Sequence, residues 1–362
     1  MDVHSLFESP FETEAQRQIR ELTRKFARER IAPLVEQDEE TETFRPEIIH
    51  ELGQLGLTGI PTEEQYGGAG LGYQEYIAAI EEIAAVSSSY AISVAVSGLP
   101  QVILQTVGDE SQKKKYIPHL AQGKWIGAFS LSEASSGSDA ASLRTTAVKQ
   151  GDHYVINGSK LWTTQADSAD VTILMARTGG EGSKGVSSFI IEKGTPGFKM
   201  GKREKKMGTH ISHTMEIHCD QLRVHESQLL SQEGGMKIAL RALDSGRITI
   251  AATALGVARS AIECAVQHAN LREQFGKPLV DFQGIGFMLA DMLTQYQAAK
   301  QLVQRAALLK DQNAAYGIAA AQAKLFATDM AMQVTTDAVQ ILGGCGYTQE
   351  YPAERFMRER RQ

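Results

Sequence analysis

The chain has 362 residues, a formal net charge of −6 at pH 7 and 42% hydrophobic residues. This length can form two or three domains with sizeable cores, and the acidic balance argues against a protein that binds nucleic acid. The three cysteines lie far apart and match neither a disulfide framework nor a Cys-x-x-Cys metal site, which predicts a reducing compartment.

The first residues lack the basic start and the apolar run of a secretory or transit signal, so we expect neither. The most apolar run, 248–257, is too short to cross a bilayer. These two observations predict a soluble protein with no stable membrane insertion.

The N-terminal third has the apolar periodicity of helices. A helix is predicted over 13–31, where Thr13 and Gln16 have the spacing of a capping box. A second helix is predicted over 46–55, with a proline in its first turn, where the missing N–H costs nothing.

Further helices are predicted over 74–96 and 99–107, and a short helix with three lysines follows Asp109. The glycine-rich stretch 66–72 does not complete a dinucleotide-binding pattern, and no strand–helix unit frames it. We therefore expect it to form a turn.

Between about 125 and 224 the periodicity changes to the alternation of strands, separated by turn signals at Asn157-Gly158, 179–180 and 195–197. The predicted strands are 153–156, 171–175, 186–191 and 214–219. This pattern is typical of a small all-β domain.

Three histidines and a cysteine of this domain raise the question of a metal site: His210, His213, His218 and Cys219. Alternation along a strand places His218 and Cys219 on opposite faces, and the spacing matches no standard site. We predict no metal.

Long alanine-rich helices are predicted over 236–270, 281–309 and 314–342, as in an antiparallel bundle that can also make subunit contacts. The order of elements is helical, then β, then helical, which predicts an α+β fold. We expect domains at 1–122, 123–230 and 231–362.

The stretch 127–139 begins as an apolar strand and continues as a Ser/Gly loop whose backbone N–H groups could face an anion. Trp162 offers a flat face, and Thr163 and Thr164 can bond the polar edge of a ring system. Together they suit a planar heterocycle with a pyrophosphate tail, although a Ser/Gly loop can equally be a plain connection.

Four motifs resemble the acyl-CoA dehydrogenase family, in family order and over nearly the whole chain. They are Leu131-Ser132-Glu133 to Gly137-Ser138-Asp139, Trp162-Thr163-Thr164, Arg272-Glu273-Gln274-Phe275-Gly276, and Gln340-Ile341-Leu342-Gly343-Gly344 through Glu350-Tyr351-Pro352. The stretch 240–278 looks most like the short-chain, butyryl-CoA dehydrogenase branch. The resemblance implies an N-terminal helical domain, a middle β-barrel-like domain, a C-terminal helical bundle and a homotetramer.

The resemblance also implies FAD, held by two groups of residues. The first group belongs to the β domain: Phe129, Leu131, Ser132, Gly137, Ser138, Trp162, Thr163 and Thr164. The second group would contact the FAD of a neighbouring subunit: Arg272, Gln274, Phe275, Gln283, Gln340, Gly343 and Gly344. Arginine suits a pyrophosphate and glycine permits close backbone approach, but Phe275 could be ordinary core, and Gly343 and Gly344 could merely end a helix.

The resemblance implies that an acyl-CoA thioester is bound by Ser138, Asp244 and Arg247. From spacing alone, Asp244 and Arg247 could equally be a surface ion pair three residues apart on a helix. The family's reaction removes the α-proton with a carboxylate while the β-hydrogen leaves as hydride to flavin N5. It gives a trans-2-enoyl-CoA, and the electrons pass to electron-transfer flavoprotein in fatty acid β-oxidation.

The catalytic carboxylate is missing from the expected place. In most members it is the Glu of a Tyr-Glu-Gly-Thr segment beyond the Glu-Tyr-Pro motif, and these 362 residues contain no such segment. The alternative position in some branches corresponds to Gly246, and Glu359 does not match the base. We expect the sequence to be truncated within the C-terminal domain.

Two other functions stay open at this point: an acyl-CoA oxidase or monooxygenase, and a non-catalytic FAD scaffold that binds acyl-CoA. Small residues over 91–98, which resemble the floor of the family's acyl pocket, would admit a longer tail, whereas the short-chain resemblance favours a shorter one. We expect short to medium straight acyl chains. We expect the bacterial cytoplasm or, after removal of a transit peptide, the mitochondrial matrix.

Overall fold

A computed structural model describes residues 6, 7, 9, 11–231 and 234–359. Helices form the N-terminal part, a mixed sheet the middle and long helices the C-terminal part, which confirms the predicted α+β order. The helices are α1 (Glu14–Phe26), α2 (Ala32–Thr41), α3 (Pro46–Gln54), α4 (Tyr73–Val86), α5 (Ser88–Val107), α6 (Glu110–Ala121), α7 (Gly235–Leu271), α8 (Gln283–Asp311), α9 (Gly317–Leu342) and α10 (Ala353–Glu359). The strands are β1 (Gly127–Ser130), β2 (Thr146–Gln150), β3 (His153–Thr164), β4 (Val171–Arg177), β5 (Val186–Glu192), β6 (Phe198–Arg203), β7 (Thr214–His225), β8 (Leu229–Ser231), β9 (Glu273–Gln274) and β10 (Lys277–Pro278).

The first helix begins where the capping box predicted it. The Gln16 backbone N–H donates to Thr13 Oγ1 at 3.2 Å, and the Thr13 N–H donates to Gln16 Oε1 at 2.7 Å. These two bonds satisfy backbone donors that the first helical turn leaves free. The α-helix ends at Phe26, and a π-helical turn, Ala27–Ile31, leads into α2.

The predicted break between helices at 97–98 is wrong, because the break lies at Ser87. The Ser87 side chain caps α5 by accepting the Tyr90 N–H at 3.3 Å. Gly98 and Pro100 lie inside α5. A Cβ on Gly98 would lie 2.9 Å from the Tyr76 hydroxyl, so this glycine serves the close packing of α4 on α5.

The middle sheet has the strand order β6-β7-β3-β2-β4-β5-β8, with β1 pairing in parallel with β4. The turn predicted at Asn157-Gly158 is wrong, since β3 continues through it with a shift in register against β7. Gly158 has φ 148°, and a Cβ there would lie 2.5 Å from Thr145 Oγ1. The glycine therefore marks a bulge where two backbones approach closely.

The two edges of this sheet, β6 and β8, were not predicted as strands, and neither was β2. Lys199, Lys202 and Arg203 project from β6, most of whose residues are exposed. The other edge, β8, has only three residues. Short or positively charged edges hinder pairing with a further strand.

Two helices, α5 and α7, are long and apolar enough to span a membrane by length and composition alone. However, 61% of the apolar window of α5 and 78% of that of α7 are buried inside the protein. The central helix of a water-soluble core has the same composition, and α7 packs against α4, α5, α8 and α9.

Six charged residues form a buried group that we call the helical charge cluster: Glu12, Arg20, Glu81, Glu82, Arg259 and Lys300. Both Arg20 and Arg259 pair with Glu82, at 2.7 and 2.6 Å, and Lys300 Nζ donates to the Phe7 carbonyl at 2.6 Å. The cluster joins α1, α4, α7 and α8 by contacts between side chains.

Candidate functional site

The loop after β1 and the middle of β3 lie side by side, as their sequences suggested. The Ser130 and Thr163 hydroxyl groups are 2.9 Å apart, and the Leu161 N–H donates to the Ser132 carbonyl at 2.9 Å. Gly137 and Ser138, at the tip of the 131–145 loop, are exposed. The structure therefore places the residues of the first predicted group along one part of the middle domain.

Trp162 is the most unusual residue of this surface. It has φ 63°, its side chain is 58% exposed, and it lies where the β3–β7 register shifts between Lys160 and Thr163. A non-glycine residue with positive φ costs free energy, and such conformations cluster at functional sites. Thr163 is buried and Thr164 is half-buried.

Three charged side chains hold the ends of the 131–145 loop by hydrogen bonds to its backbone and to one another. We call them the loop clamp: Glu133, Lys160 and Arg177. Lys160 Nζ donates to the Leu131 carbonyl at 2.9 Å and to Glu133 Oε1 at 2.8 Å. Glu133 also accepts the backbone N–H groups of Arg144, at 2.6 Å, and Thr145, at 3.0 Å. One carboxylate thus joins the two ends of the loop.

Arg177 completes the loop clamp from the end of β4. Its guanidinium donates to the carbonyls of Leu143 at 3.1 Å, Ala141 at 2.7 Å and Gly180 at 2.6 Å. All of these acceptors are backbone atoms, so Arg177 fixes the course of the loop.

Burial and pairing oppose each other within the loop clamp. Burial lowers the pKa of Lys160, and the Glu133 carboxylate offsets only part of this effect. Burial raises the pKa of Glu133, but the Lys160 ammonium and the loop N–H groups outweigh it, so that the pKa of Glu133 is lowered. Burial also raises the pKa of the nearby Cys219 thiol to about 12, so this cysteine is a neutral core residue.

The second predicted group lies elsewhere, on the C-terminal helices. Arg272 caps the end of α7, Gln274 and Phe275 belong to the β9–β10 hairpin, and Gln283 begins α8; all four are exposed. Phe275 has φ 53° and is 95% exposed, so it is not core. Gln340, Gly343 and Gly344 follow at the end of α9 and are also exposed. Within the described ranges, no hydrogen bond or ion pair joins this group to the first.

Asp244 and Arg247 form an ion pair with each other, three residues apart on α7. Asp244 also lines a cavity of about 490 Å³, together with Arg241 and Lys310. Sequence reasoning missed Arg241 and Lys310. No local pattern marks them, because the cavity forms only when α5, α7 and the α8–α9 connection come together.

A narrow cavity of about 10 Å³ lies between α4, α5 and α7, and Tyr73, Tyr76, Ser245 and Gly246 are among its lining residues. A Cβ on Gly246 would have only Leu99 Cδ2 within 4 Å, at 3.6 Å. Among the described residues that line this cavity there is no carboxylate.

Glu359 does not place a carboxylate at the narrow cavity, as expected from its place in the sequence. It is buried, and its carboxylate bonds to Ser88 Oγ at 2.9 Å and to Arg355 Nη1 at 3.0 Å. Burial raises its pKa. The side chain joins α10 to the start of α5 and does not line the narrow cavity.

The histidines of the middle domain are engaged separately. His213 Nδ1 lies 2.6 Å from Asp167 Oδ2 and its Nε2 lies 2.9 Å from the Glu42 carbonyl, whereas His218 Nδ1 lies 3.1 Å from Ser159 Oγ. Within the part of the chain that the structure describes, no cluster of ligands could hold a metal ion.

Sequence analysis missed the loop clamp, whose side chains contact the 131–145 loop. Glu133 stood inside a recognised motif without a role, and Lys160 was not singled out. The sequence signal was weak, because the predicted strand ended at 156 and Lys160 lay beyond the turn expected at Asn157-Gly158. Charged residues are almost never fully buried unless they are paired.

Comparisons with known proteins agree over nearly the whole length. Three family models match: acyl-CoA dehydrogenase N-terminal domain at 13–124, middle domain at 128–222 and C-terminal domain at 233–362. A protein of Bacillus subtilis named acyl-CoA dehydrogenase is 47% identical over 350 residues, which cover 96% of this chain and 92% of that protein. The structure of butyryl-CoA dehydrogenase from Megasphaera elsdenii superposes with a TM-score of 0.95 and 42% identity, covering 98% of this chain and 94% of the other. A structure described as the electron transferring flavoprotein of Acidaminococcus fermentans contains a chain with a TM-score of 0.95 and 43% identity, with the same coverage.

Proposed function

The chain belongs to the acyl-CoA dehydrogenase family, and from this premise we propose that it is an FAD-dependent enzyme that dehydrogenates a short acyl-CoA thioester between Cα and Cβ. The observation that carries the proposal is the exposed, positive-φ Trp162 beside the 131–145 loop. A flat aromatic face next to a loop of small polar residues suits a flavin with its pyrophosphate.

We assign the FAD site to the first group of residues. Trp162 and Thr164 would border the ring system, and the 131–138 segment would bond its polar edge and the pyrophosphate. The residues fit the cofactor because Gly137 has no atom within 4 Å of a Cβ built on it, which leaves the tip of the loop open. Bound FAD would supply the two-electron acceptor of the reaction.

We propose that the second group contacts the FAD of a neighbouring subunit, in a homotetramer. The support is the exposure of Phe275: its ring lies edge-on to Phe282, with 6.2 Å between the centroids, yet the residue is 95% exposed and held at positive φ, which is unusual for an aromatic residue. Several other apolar side chains of α8 and α9 are exposed as well, including Phe287, Ile318 and Leu325. Such faces are typical of subunit interfaces.

The thioester site is assigned to Ser138, Asp244 and Arg247, with the acyl chain in the narrow cavity. When the coenzyme A part binds, Arg247 would either break its ion pair with Asp244 or keep it while also contacting the ligand. The volume of about 10 Å³ has room for about one water molecule, so α4 and α5 would have to move apart even for a butyryl chain, and more for a longer one.

Electron transfer to an electron-transfer flavoprotein is the proposed fate of the reduced cofactor, and the cytoplasm is the proposed location. The Acidaminococcus structure supports the first, and the bacterial relatives support the second. The base that removes the α-proton needs a carboxylate at the cavity. We assign no residue of 1–362 to that role.

A second candidate is a protein that binds FAD and acyl-CoA without dehydrogenating it. The observation in its favour is that no carboxylate lies among the described residues around the narrow cavity.

Purified protein decides between these candidates. We expect it to be yellow and to bleach without air when butyryl-CoA is added. Bleaching followed by rapid return of the colour in air would indicate an oxidase or monooxygenase instead. A yellow protein whose absorbance shifts with butyryl-CoA but does not bleach would support the second candidate, and a colourless protein that takes up no FAD would exclude all three.

A further inference from the structure

The 131–145 loop carries proposed FAD and thioester contacts at its tip, but its tip makes few contacts that could hold it. Gly137, Ser138 and Asp139 are exposed. Only short local bonds shape this segment, such as that from Ser136 Oγ to the Asp139 carbonyl at 2.7 Å. The position of the tip must therefore depend on how the ends of the loop are fixed.

The ends are fixed by the loop clamp. Glu133 itself belongs to the start of the loop. Its carboxylate accepts the backbone N–H groups of Arg144 and Thr145 at the end of the loop. Lys160 holds this carboxylate and the Leu131 carbonyl at once. Since β3 carries both Lys160 and Trp162, the same strand sets the position of the loop and of the aromatic face.

The chemistry of the clamp argues for a specific role. A buried ion pair is often no more stabilising than apolar residues of similar volume, so its stability alone does not explain a lysine with 0% side-chain exposure in the sheet. What an apolar pair could not do is bond a carbonyl and two N–H groups of an irregular loop. The clamp replaces the ladder bonds that such a loop lacks.

We propose that Lys160 and Glu133, with Arg177, are positioning residues that set the 131–145 loop for FAD and acyl-CoA without touching either ligand. The inference rests on the proposed function, because the loop has a ligand to position only if FAD binds there. It predicts that loss of the clamp weakens FAD binding by folded protein.

A second buried lysine provides a matched control. Lys300 has 2% side-chain exposure and, like Lys160, donates to a backbone carbonyl, that of Phe7, and pairs with a carboxylate, Glu12 at 3.4 Å. It lies in the helical charge cluster, far along the chain from the loop. Lys160→Met and Lys300→Met therefore remove the same chemistry from two places.

The experiment measures FAD dissociation from the purified holoprotein, by the rise in flavin fluorescence on dilution. We expect Lys160→Met to raise the dissociation constant about 10-fold or more, by analogy with the loss of a residue that orients metal ligands, and Lys300→Met to change it less than about 2-fold. Both variants should lower the thermal midpoint. Hydrogen exchange of peptides covering 131–145 should accelerate in Lys160→Met alone.

Equal dissociation constants for the two variants, with unchanged exchange of the loop, would overturn the positioning role and leave the proposed function standing. A wild-type protein that binds no FAD would overturn both. If Lys160→Met does not fold, Arg177→Lys decides, since a lysine cannot reach the separate carbonyls that the guanidinium bonds. It should weaken FAD binding in the same direction, and unchanged binding would overturn the inference.

Discussion

The helical charge cluster and the loop clamp both bury a lysine and a glutamate, yet their surroundings differ. In the cluster, charged side chains of α1, α4 and α7 bind one another, and Lys300 of α8 binds both the Glu12 carboxylate and the Phe7 carbonyl. In the clamp, charged side chains bind mainly the backbone of one loop. The role of a buried charge therefore depends on its partners. Ion pairs between side chains of different helices fix how the helices pack, whereas hydrogen bonds to the backbone fix the course of a loop.

The largest effect should come from breaking the cluster at Arg259. Arg259→Met would leave Glu82, whose side chain is 1% exposed, with one cation fewer. We expect the free energy of unfolding to fall by about 3–5 kcal/mol, the usual cost of removing one partner of a buried ion pair. Urea unfolding measures it. The FAD affinity of the folded fraction should stay the same, and a large loss of affinity would contradict the division between the two regions.

Compared with Arg259→Met, Glu133→Gln should lower the free energy of unfolding less and FAD affinity more. Every partner of this carboxylate is a donor, so the amide NH₂ group would face either Lys160 or a backbone N–H. We expect a loss of about 1–3 kcal/mol in the free energy of unfolding, as for a buried donor left unsatisfied. FAD affinity should fall as in Lys160→Met.

Glu226→Gln is the matched control, since Glu226 pairs with Lys149 on the surface at 49% exposure. Its effect on the free energy of unfolding should be under about 1 kcal/mol. FAD affinity that is unchanged in Glu133→Gln would contradict the clamp.

Acid should weaken the cluster in a defined direction. Burial raises the pKa of Glu81, but Arg20, Lys300 and Arg259 outweigh it and hold that pKa at about 2, below the ordinary value of 4.5. The unfolded chain then binds a proton that the folded chain does not, so this contribution is complete above about pH 4.5 and is lost as the pH falls toward about 2. Urea midpoints measured over this range should fall less steeply in Arg259→Met, and an equal slope would contradict the assignment.

The smallest effect is expected at His213, which belongs to neither region. Burial lowers its pKa, but the Asp167 carboxylate and the Glu42 carbonyl outweigh it and raise the pKa above 6.5. Its contribution to stability is complete below about pH 6.5 and is lost as the pH rises through the raised value. His213→Gln should cost about 1 kcal/mol at pH 6 and less at pH 8, by urea unfolding. A cost that grows with pH would contradict this.

Local signals predicted what local physics determines. The Thr13–Gln16 capping box and the first-turn Pro46 set helix starts within a few residues, so sequence alone found them. Gly98 and Gly158 misled the prediction because each is a glycine for a contact distant in sequence, one against Tyr76 and the other against Thr145. The sequence alone does not show whether a glycine forms a turn or makes room for a residue that is distant along the chain.

The candidate site shows the same difference between features that local sequence predicts and features that depend on distant contacts. The 131–145 loop and Trp162 were predicted to act together because a Ser/Gly loop and a flat aromatic face suit one planar ligand, and the structure bonds Leu161, the residue before Trp162, to the Ser132 carbonyl of the loop. The loop clamp was missed because Lys160 meets Glu133 only after β3 pairs with its neighbours. The roles assigned to individual FAD and thioester residues stay predictions.

The borders of the middle sheet have a consequence for how copies of this protein can meet. One border, β6, presents lysine and arginine side chains, and the other, β8, is three residues long. A strand from a second molecule would meet charged side chains at one border and too few free backbone groups at the other, so both borders hinder growth of the sheet by added strands. Contacts between copies through the exposed apolar side chains of α8 and α9 would not extend the sheet.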